Sequence, residues 1–220
     1  MKKLLFILLI LSTGITFAEI KADGKSDDLV ALKEWAKAGG GVLPSGTIRI
    51  TDTWFLGAQE LSYNQMFMQN VDGQIDIKLY QVSKFTKAIK IIGNNTTIWL
   101  DNADTTKPVV CYNAKGLKED NNSGLIDGLT LKGKGVGIQS SFTKFLRIHN
   151  VNFIGFNVGL LLNNAVLLDC QNLRFRGCRV AEYDQRCHRS NFSNISVEFC
   201  KKGFEIHSNQ IIVNGYNASF

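Results

Sequence analysis

Apolar and polar residues alternate through the second half of the chain, and the alternation returns every 22 residues. Ile126, Ile148, Cys170 and Phe192 hold one position of this repeat. Leu129, Val151, Leu173 and Ile195 follow three residues later, and Leu131, Phe153, Phe175 and Val197 two further on. Between the last two columns stand Thr130, Asn152, Arg174 and Ser196, all polar. Such an in-out-in pattern predicts a short, half-buried strand in every repeat. Later in each repeat comes a small residue, at Gly137, Gly159, Ala181 and Gly203, which suggests a bend.

A period near 22 is too short for a helix pair and belongs with the solenoids, where each unit hides its apolar face only against its neighbours. The pattern predicts an all-β solenoid, a parallel β-helix with coils ~4.8 Å apart and like residues above like. The column Asn150, Asn172 and Asn194 supports this, because asparagines stacked at a turn can hydrogen-bond in a ladder. Leucine-rich repeats have an overlapping period, but their asparagine sits in a leucine-spaced consensus that is missing here.

Ahead of the repeats, Lys2 and Lys3 precede the apolar run Leu4 to Leu11, and Thr16-Phe17-Ala18 follows. This predicts a secretory signal over residues 1–18 and a mature chain starting near Glu19, secreted or periplasmic. No stretch reaches the ~20 apolar residues of a transmembrane helix. The remainder, 19–220, reads as one β-helix domain: 19–53 a cap helix and first strands, 54–124 irregular early coils, and 125–220 the regular 22-residue coils.

In the cap, Asp27 is a good helix N-cap, and Leu29, Leu32 and Trp35 predict a short helix over Asp28 to Ala38, ended by Gly39-Gly40-Gly41. Val42-Leu43 and Thr47 to Ile50 read as strands around the turn Pro44-Ser45-Gly46. Gly24-Lys25-Ser26 is no phosphate loop, since Glu19 stands where that motif needs its first glycine.

The run Asp23-Gly24-x-Ser26-Asp27-Asp28, the helix with its Ala31-Leu32 pair, the glycine triplet and Leu43-Pro44-x-Gly46 resemble the N-terminal cap of the pectate-lyase-like β-helix superfamily. Polygalacturonases, pectate-lyase-type proteins and phage tailspike depolymerases are members. The resemblance covers Asp23 to Ile50 and is continued by the periodicity from Ile126. It implies a right-handed parallel β-helix whose helix covers the N-terminal end, in an exported protein that acts on a polysaccharide as a glycoside hydrolase or polysaccharide lyase. The alternative is a non-catalytic carbohydrate-binding or surface solenoid, or a truncated β-helix without its active site.

The chemistry of these classes sets what to look for. Hydrolysis of a glycosidic bond usually takes two carboxyl groups flanking it. A lyase of this fold would hold Ca²⁺ with carboxylates, the one cofactor the resemblance brings in, and use Lys or Arg as base. The polygalacturonase set of Asn-Thr-Asp, a catalytic Asp-Asp pair, Gly-His-Gly and Arg-x-Lys is not found, and Asp27-Asp28 belongs to the cap.

One coil departs from the repeat. Glu182 stands where its neighbours have Ile138, Leu160 and Phe204, and Asp184 where they have Ser140, Leu162 and Ile206. Arg174, Arg176, Arg179, Arg186, His188 and Arg189 share the coil. The preferred reading is a one-residue register shift that turns Ala181 and Tyr183 inward and leaves Glu182 and Asp184 at the surface near Arg186. If that surface is functional, Glu182, Asp184, Arg186 and His188 are the candidate catalytic residues.

Composition adds little. Without Lys2 and Lys3 the 25 basic residues become 23 against 19 acidic ones. That small, scattered surplus does not argue for nucleic acid and is compatible with an acidic polysaccharide. The five cysteines leave at least one unpaired. Cys178 and Cys200, again 22 apart, could form a disulfide between coils, but buried free thiols are preferred. Neither Cys-x-x-Cys nor a His cluster suggests zinc. Trp54 to Met68, rich in aromatics and methionine, reads as core or side loop before sugar surface. Ile211 to Phe220 starts a further coil without a cap, so a longer chain, a partner or self-association at that end is expected.

Overall fold

Stacking of like residues at a fixed register builds the molecule, which we describe from a computed structural model covering residues 18–56, 61–70, 73–82, 88–113 and 124–219, with backbone alone for 61–70, 73–82, 113 and 208–210. The leader-like segment before Ala18 and residues 114–123 lie outside these residues. In chain order the elements are β1 (Asp23–Asp27), α1 (Leu29–Lys37), β2 (Gly40–Val42), β3 (Gly46–Ile50), β4 (Trp54–Leu56), β5 (Leu61–Asn70), β6 (Gly73–Val82), β7 (Lys90–Leu100) and β8 (Pro108–Asn113). They continue with β9 (Leu125–Lys132), β10 (Val136–Ser141), β11 (Arg147–His149), β12 (Asn152–Ile154), β13 (Val158–Asn163), β14 (Asp169–Arg176), β15 (Val180–Glu198) and β16 (Lys202–Ser219).

Fourteen strands form one sheet wound into a parallel β-helix. On one face β1, β3, β7, β9, the pair β11 and β12, β14 and the second half of β15 lie side by side; on another, β4, β8, β10, β13 and the first half of β15 do so. β15 and β16 run continuously round the corner and join the faces. The 22-residue columns meet as the sequence predicts: Ile126 beside Ile148 beside Cys170 beside Phe192, and Leu131 beside Phe153 beside Phe175 beside Val197. All eight side chains are fully buried.

The last coil departs by one residue. A register shift between Gln185 and His188 pairs Phe192 with Val213 rather than with Asn214, its 22-residue counterpart. The shift keeps an apolar side chain in the stack. On either side of it, β16 presents Ile206, Ile212 and Tyr216 to solvent.

The bends follow from backbone conformation, and here the structure corrects the small-residue reading. Gly137 and Gly159 are not at turns with positive φ. A Cβ on Gly159 would sit 2.5 Å from a Phe175 ring carbon and 2.6 Å from Ala181 O, and one on Gly137 2.6 Å from the Phe153 ring, so glycine is required by close approach. Ala181 is accommodated where the next coil's member of the phenylalanine column is Val197. The turns with left-handed φ lie elsewhere, in columns: Gly128, Asn150, Asn172, Asn194 and Gly215 form one, Phe142, Asn164 and Arg186 a second, Phe145, Leu167 and Arg189 a third. Glycine and asparagine fill the first because they tolerate this region at least cost.

At the N-terminal end α1 buries Leu29, Leu32 and Ala36 against the cluster holding Ile48, Ile50 and Trp54, and Trp35 meets Trp54 with ring centroids 5.9 Å apart. The acidic run is consumed by structure. Asp23 Oδ1 accepts the N–H groups of Lys25 and Ser26, both at 2.8 Å, with Gly24 at φ 70° between them. Asp28 holds the N-cap position in place of Asp27, and its buried carboxylate accepts Lys21 N–H at 3.0 Å and Ala22 N–H at 3.1 Å. Asp27 takes the first helical N–H, that of Leu29, at 3.1 Å. Each carboxylate of the cap motif thus orders the chain, which is why the motif reports fold rather than activity.

The stretch expected as irregular early coils contains one full coil, β7 with β8, and an antiparallel hairpin of β5 and β6. Trp54 is fully buried, as core; the side chains of Tyr63, Met66, Phe67 and Met68 lie outside the described residues. Among the described residues no helix is long and apolar enough to cross a membrane.

Candidate functional site

The odd coil does not shift. Glu182 pairs with Leu160 and Phe204, and Asp184 with Leu162 and Ile206, so the unbroken register carries both carboxyls inside, fully buried. This overturns the expected exposure. Tyr183 is buried as expected, but on the outer face, in a cluster with Val136, Val158, Leu161 and Val180. That cluster explains the register: moving the strand by one residue would strip an apolar contact from the outer face as well. Burial, and then the neighbouring Asp184, hold the Glu182 carboxyl well above its ordinary range. A neutral acid costs far less in an apolar interior than the charge on which the exposure argument rested. Among the described residues neither Glu182 oxygen has a hydrogen-bond partner, while Asp184 Oδ1 accepts His207 N–H at 3.0 Å.

Arg186 and His188 lie on the outside at the corner. The four candidate catalytic residues are therefore divided between interior and surface and do not share a face. Among the described residues no three His, Cys, Asp or Glu side chains gather in a way that could hold a metal ion such as Ca²⁺.

A different concave surface is built by the asparagine column. Each left-handed turn points its side chain outward, and two residues later the strand again points outward, so each coil contributes a pair. Asn150, Asn152, Asn172, Leu173, Arg174, Asn194 and Ser196 line a groove of about 350 Å³. The predicted ladder is present: Asn194 Nδ2 donates to Asn172 Oδ1 at 2.6 Å, Asn172 Nδ2 to Asn150 Oδ1 at 2.9 Å, and Asn150 Nδ2 to Asp127 Oδ1 at 2.7 Å. Beside it, Asn152 Nδ2 donates to Thr130 Oγ1 at 3.3 Å. Glu198 Oε1 accepts Ser196 Oγ at 3.2 Å and lies 3.4 Å from Arg174 Nε, setting the guanidinium in place. The sequence shows both polar columns, Asn150 to Asn194 and Asn152 to Ser196. Their junction into one groove depends on the left-handed turn, which periodicity does not reveal.

No family model matches the chain, and no curated protein resembles it in sequence. Among solved structures it is similar to the ORF18 protein of Geobacillus virus E2, with a TM-score of 0.53 and 14% identity over 90% of this chain. The chain spans 40% of the length of that viral protein. A protein of Parabacteroides merdae described as a "putative glycosyl hydrolase" aligns over 90% of this chain and 92% of its own, at 10% identity and a TM-score of 0.42. The viral likeness is one of fold.

Proposed function

We propose that this chain is a carbohydrate-binding β-helix of the pectate-lyase-like type, exported by its leader, which takes a polysaccharide into the groove along Asn150, Asn172 and Asn194. The observation that carries the reading is the repetition of amides along that groove. An amide both donates and accepts, as a sugar hydroxyl does, and coils ~4.8 Å apart offer an equivalent group again and again to a linear polymer. Arg174 adds a cation that would suit a uronate carboxylate. The described lining has no carboxyl group. Hydrolysis usually takes two, so the groove supports binding over cleavage.

The test is calorimetric titration with neutral and acidic polysaccharides, while new reducing ends and unsaturated-uronate absorbance are followed. Asn172→Gly keeps the left-handed backbone and removes the central amide. Binding at least tenfold weaker in this variant, without cleavage products, is expected. Binding that Asn172→Gly leaves unchanged would move the ligand elsewhere, and product formation would replace a binding protein by an enzyme.

A further inference from the structure

Cys178 and Cys200 hold the same place in consecutive coils. Cys178 Sγ faces Phe153 O at 3.9 Å and Arg176 O at 3.8 Å; Cys200 Sγ faces Phe175 O at 3.7 Å and Glu198 O at 3.5 Å, the same pair of neighbours one coil on. The Cys178 N–H donates to Cys200 Sγ at 3.3 Å. Both side chains are buried and both are free thiols. The coil spacing of ~4.8 Å falls within the Cα separations that a disulfide spans.

We propose that Cys178 and Cys200 are a disulfide-forming pair that fastens the turn between β14 and β15 to the turn between β15 and β16. The chemistry of the two sulfurs is unequal in the way exchange requires. The contact with the Cys178 thiol, helped by backbone N–H groups, holds Cys200 below the ordinary thiol range against the effect of burial, while the same contact and burial push Cys178 up. The other described cysteines are different: burial raises Cys111, Cys170 and Cys187. Cys200 is thereby the readier of the two to attack when the turn opens to an oxidant.

With glutathione disulfide as oxidant, Cys200 attacks one glutathione sulfur, expels the other as thiolate, and forms a mixed disulfide. Cys178 then loses its proton and attacks the Cys200 sulfur, breaking the mixed disulfide and releasing the second glutathione. The two protein thiols give up two electrons and two protons, and the oxidant becomes two glutathione thiols. The closed loop spans 22 residues.

The full chain should be treated with glutathione disulfide, both folded and during refolding, and mapped as peptides without reduction. A linked Cys178–Cys200 peptide under either condition, with a melting temperature roughly 5 °C or more above that of the reduced protein, is expected. Cys200→Ser and Cys178→Ser should each lose the link and the gain. If neither variant folds, the wild-type peptide map still decides. Full retention of the free thiols under both conditions, or linkage of either residue to a different cysteine, would overturn the proposal.

Discussion

The rings of Phe153 and Phe175 lie one above the other in consecutive coils, with centroids 4.6 Å apart and planes within 10° of parallel. Both are fully buried, and each presses on the glycine of the preceding coil, Phe153 on Gly137 and Phe175 on Gly159. Phe175→Ala should lower stability by roughly 3–5 kcal/mol in urea titration. Gly159→Ala should be damaging alone but milder in a Phe175→Val background, which copies the arrangement of Ala181 and Val197. A double-mutant cycle with no coupling between the two sites would contradict the proposed contact.

Glu182 sets a pH dependence whose sign is fixed. Its folded value is raised above the ordinary 4.5. Below about that pH the group is protonated folded and unfolded alike. Above it the unfolded chain releases the proton first, so stability falls as pH rises towards the folded value, by at most ~1.4 kcal/mol per unit. Glu182→Gln should therefore be more stable than wild type at pH 7, with the difference shrinking towards pH 4.5. A difference that stays constant between pH 5 and 8 would show that Glu182 is not buried as the acid. Tyr183→Ala, which empties the outer cluster, should cost roughly 3 kcal/mol or more.

Asn172 serves backbone and ladder together. Alanine there keeps the Cβ in the left-handed region but loses the amide that lets asparagine tolerate it, and with it two side-chain hydrogen bonds. Asn172→Ala should cost roughly 2–3 kcal/mol and Asn172→Gly distinctly less, as thermal melts will show. Equal losses would mean that the turn does not demand positive φ.

The cap carboxylate at Asp28 is the fourth case. Asp28→Ala leaves the N–H groups of Lys21 and Ala22 without their acceptor, and a loss of roughly 2–4 kcal/mol is expected. Asp27→Ala, which frees the Leu29 N–H alone among the backbone groups, should cost less. Hydrogen exchange at Ala22, fast in Asp28→Ala and slow in Asp27→Ala, would separate the two.

How much of this was legible in the sequence follows from what stacking demands. Columns such as Ile126 to Phe192 must match in kind, because each side chain packs on its equivalent, and so they stand out as a period. Side-chain size at Gly159 was legible but not its cause, since a glycine under an aromatic ring and a glycine at a turn look alike along a chain. Glu182 and Asp184 were misplaced because a letter in a sequence carries a formal charge, whereas inside the coil the environment chooses the protonation state. The groove went unread because alternation places Asn172 and Arg174 on the outside of the coil but says nothing of the left-handed bend at Asn172 that shapes that outside.

The asparagine ladder also has a sense of direction. A carboxylate can only accept, so Asp127 obliges Asn150 to turn its NH₂ that way, which commits the Asn150 oxygen to Asn172, and the Asn172 oxygen to Asn194. One anion at the foot of the column thereby assigns donor and acceptor roles along the whole row. A polymer lying against that row meets an asymmetric template, so a chain laid in head first and the same chain laid in tail first are not equivalent guests.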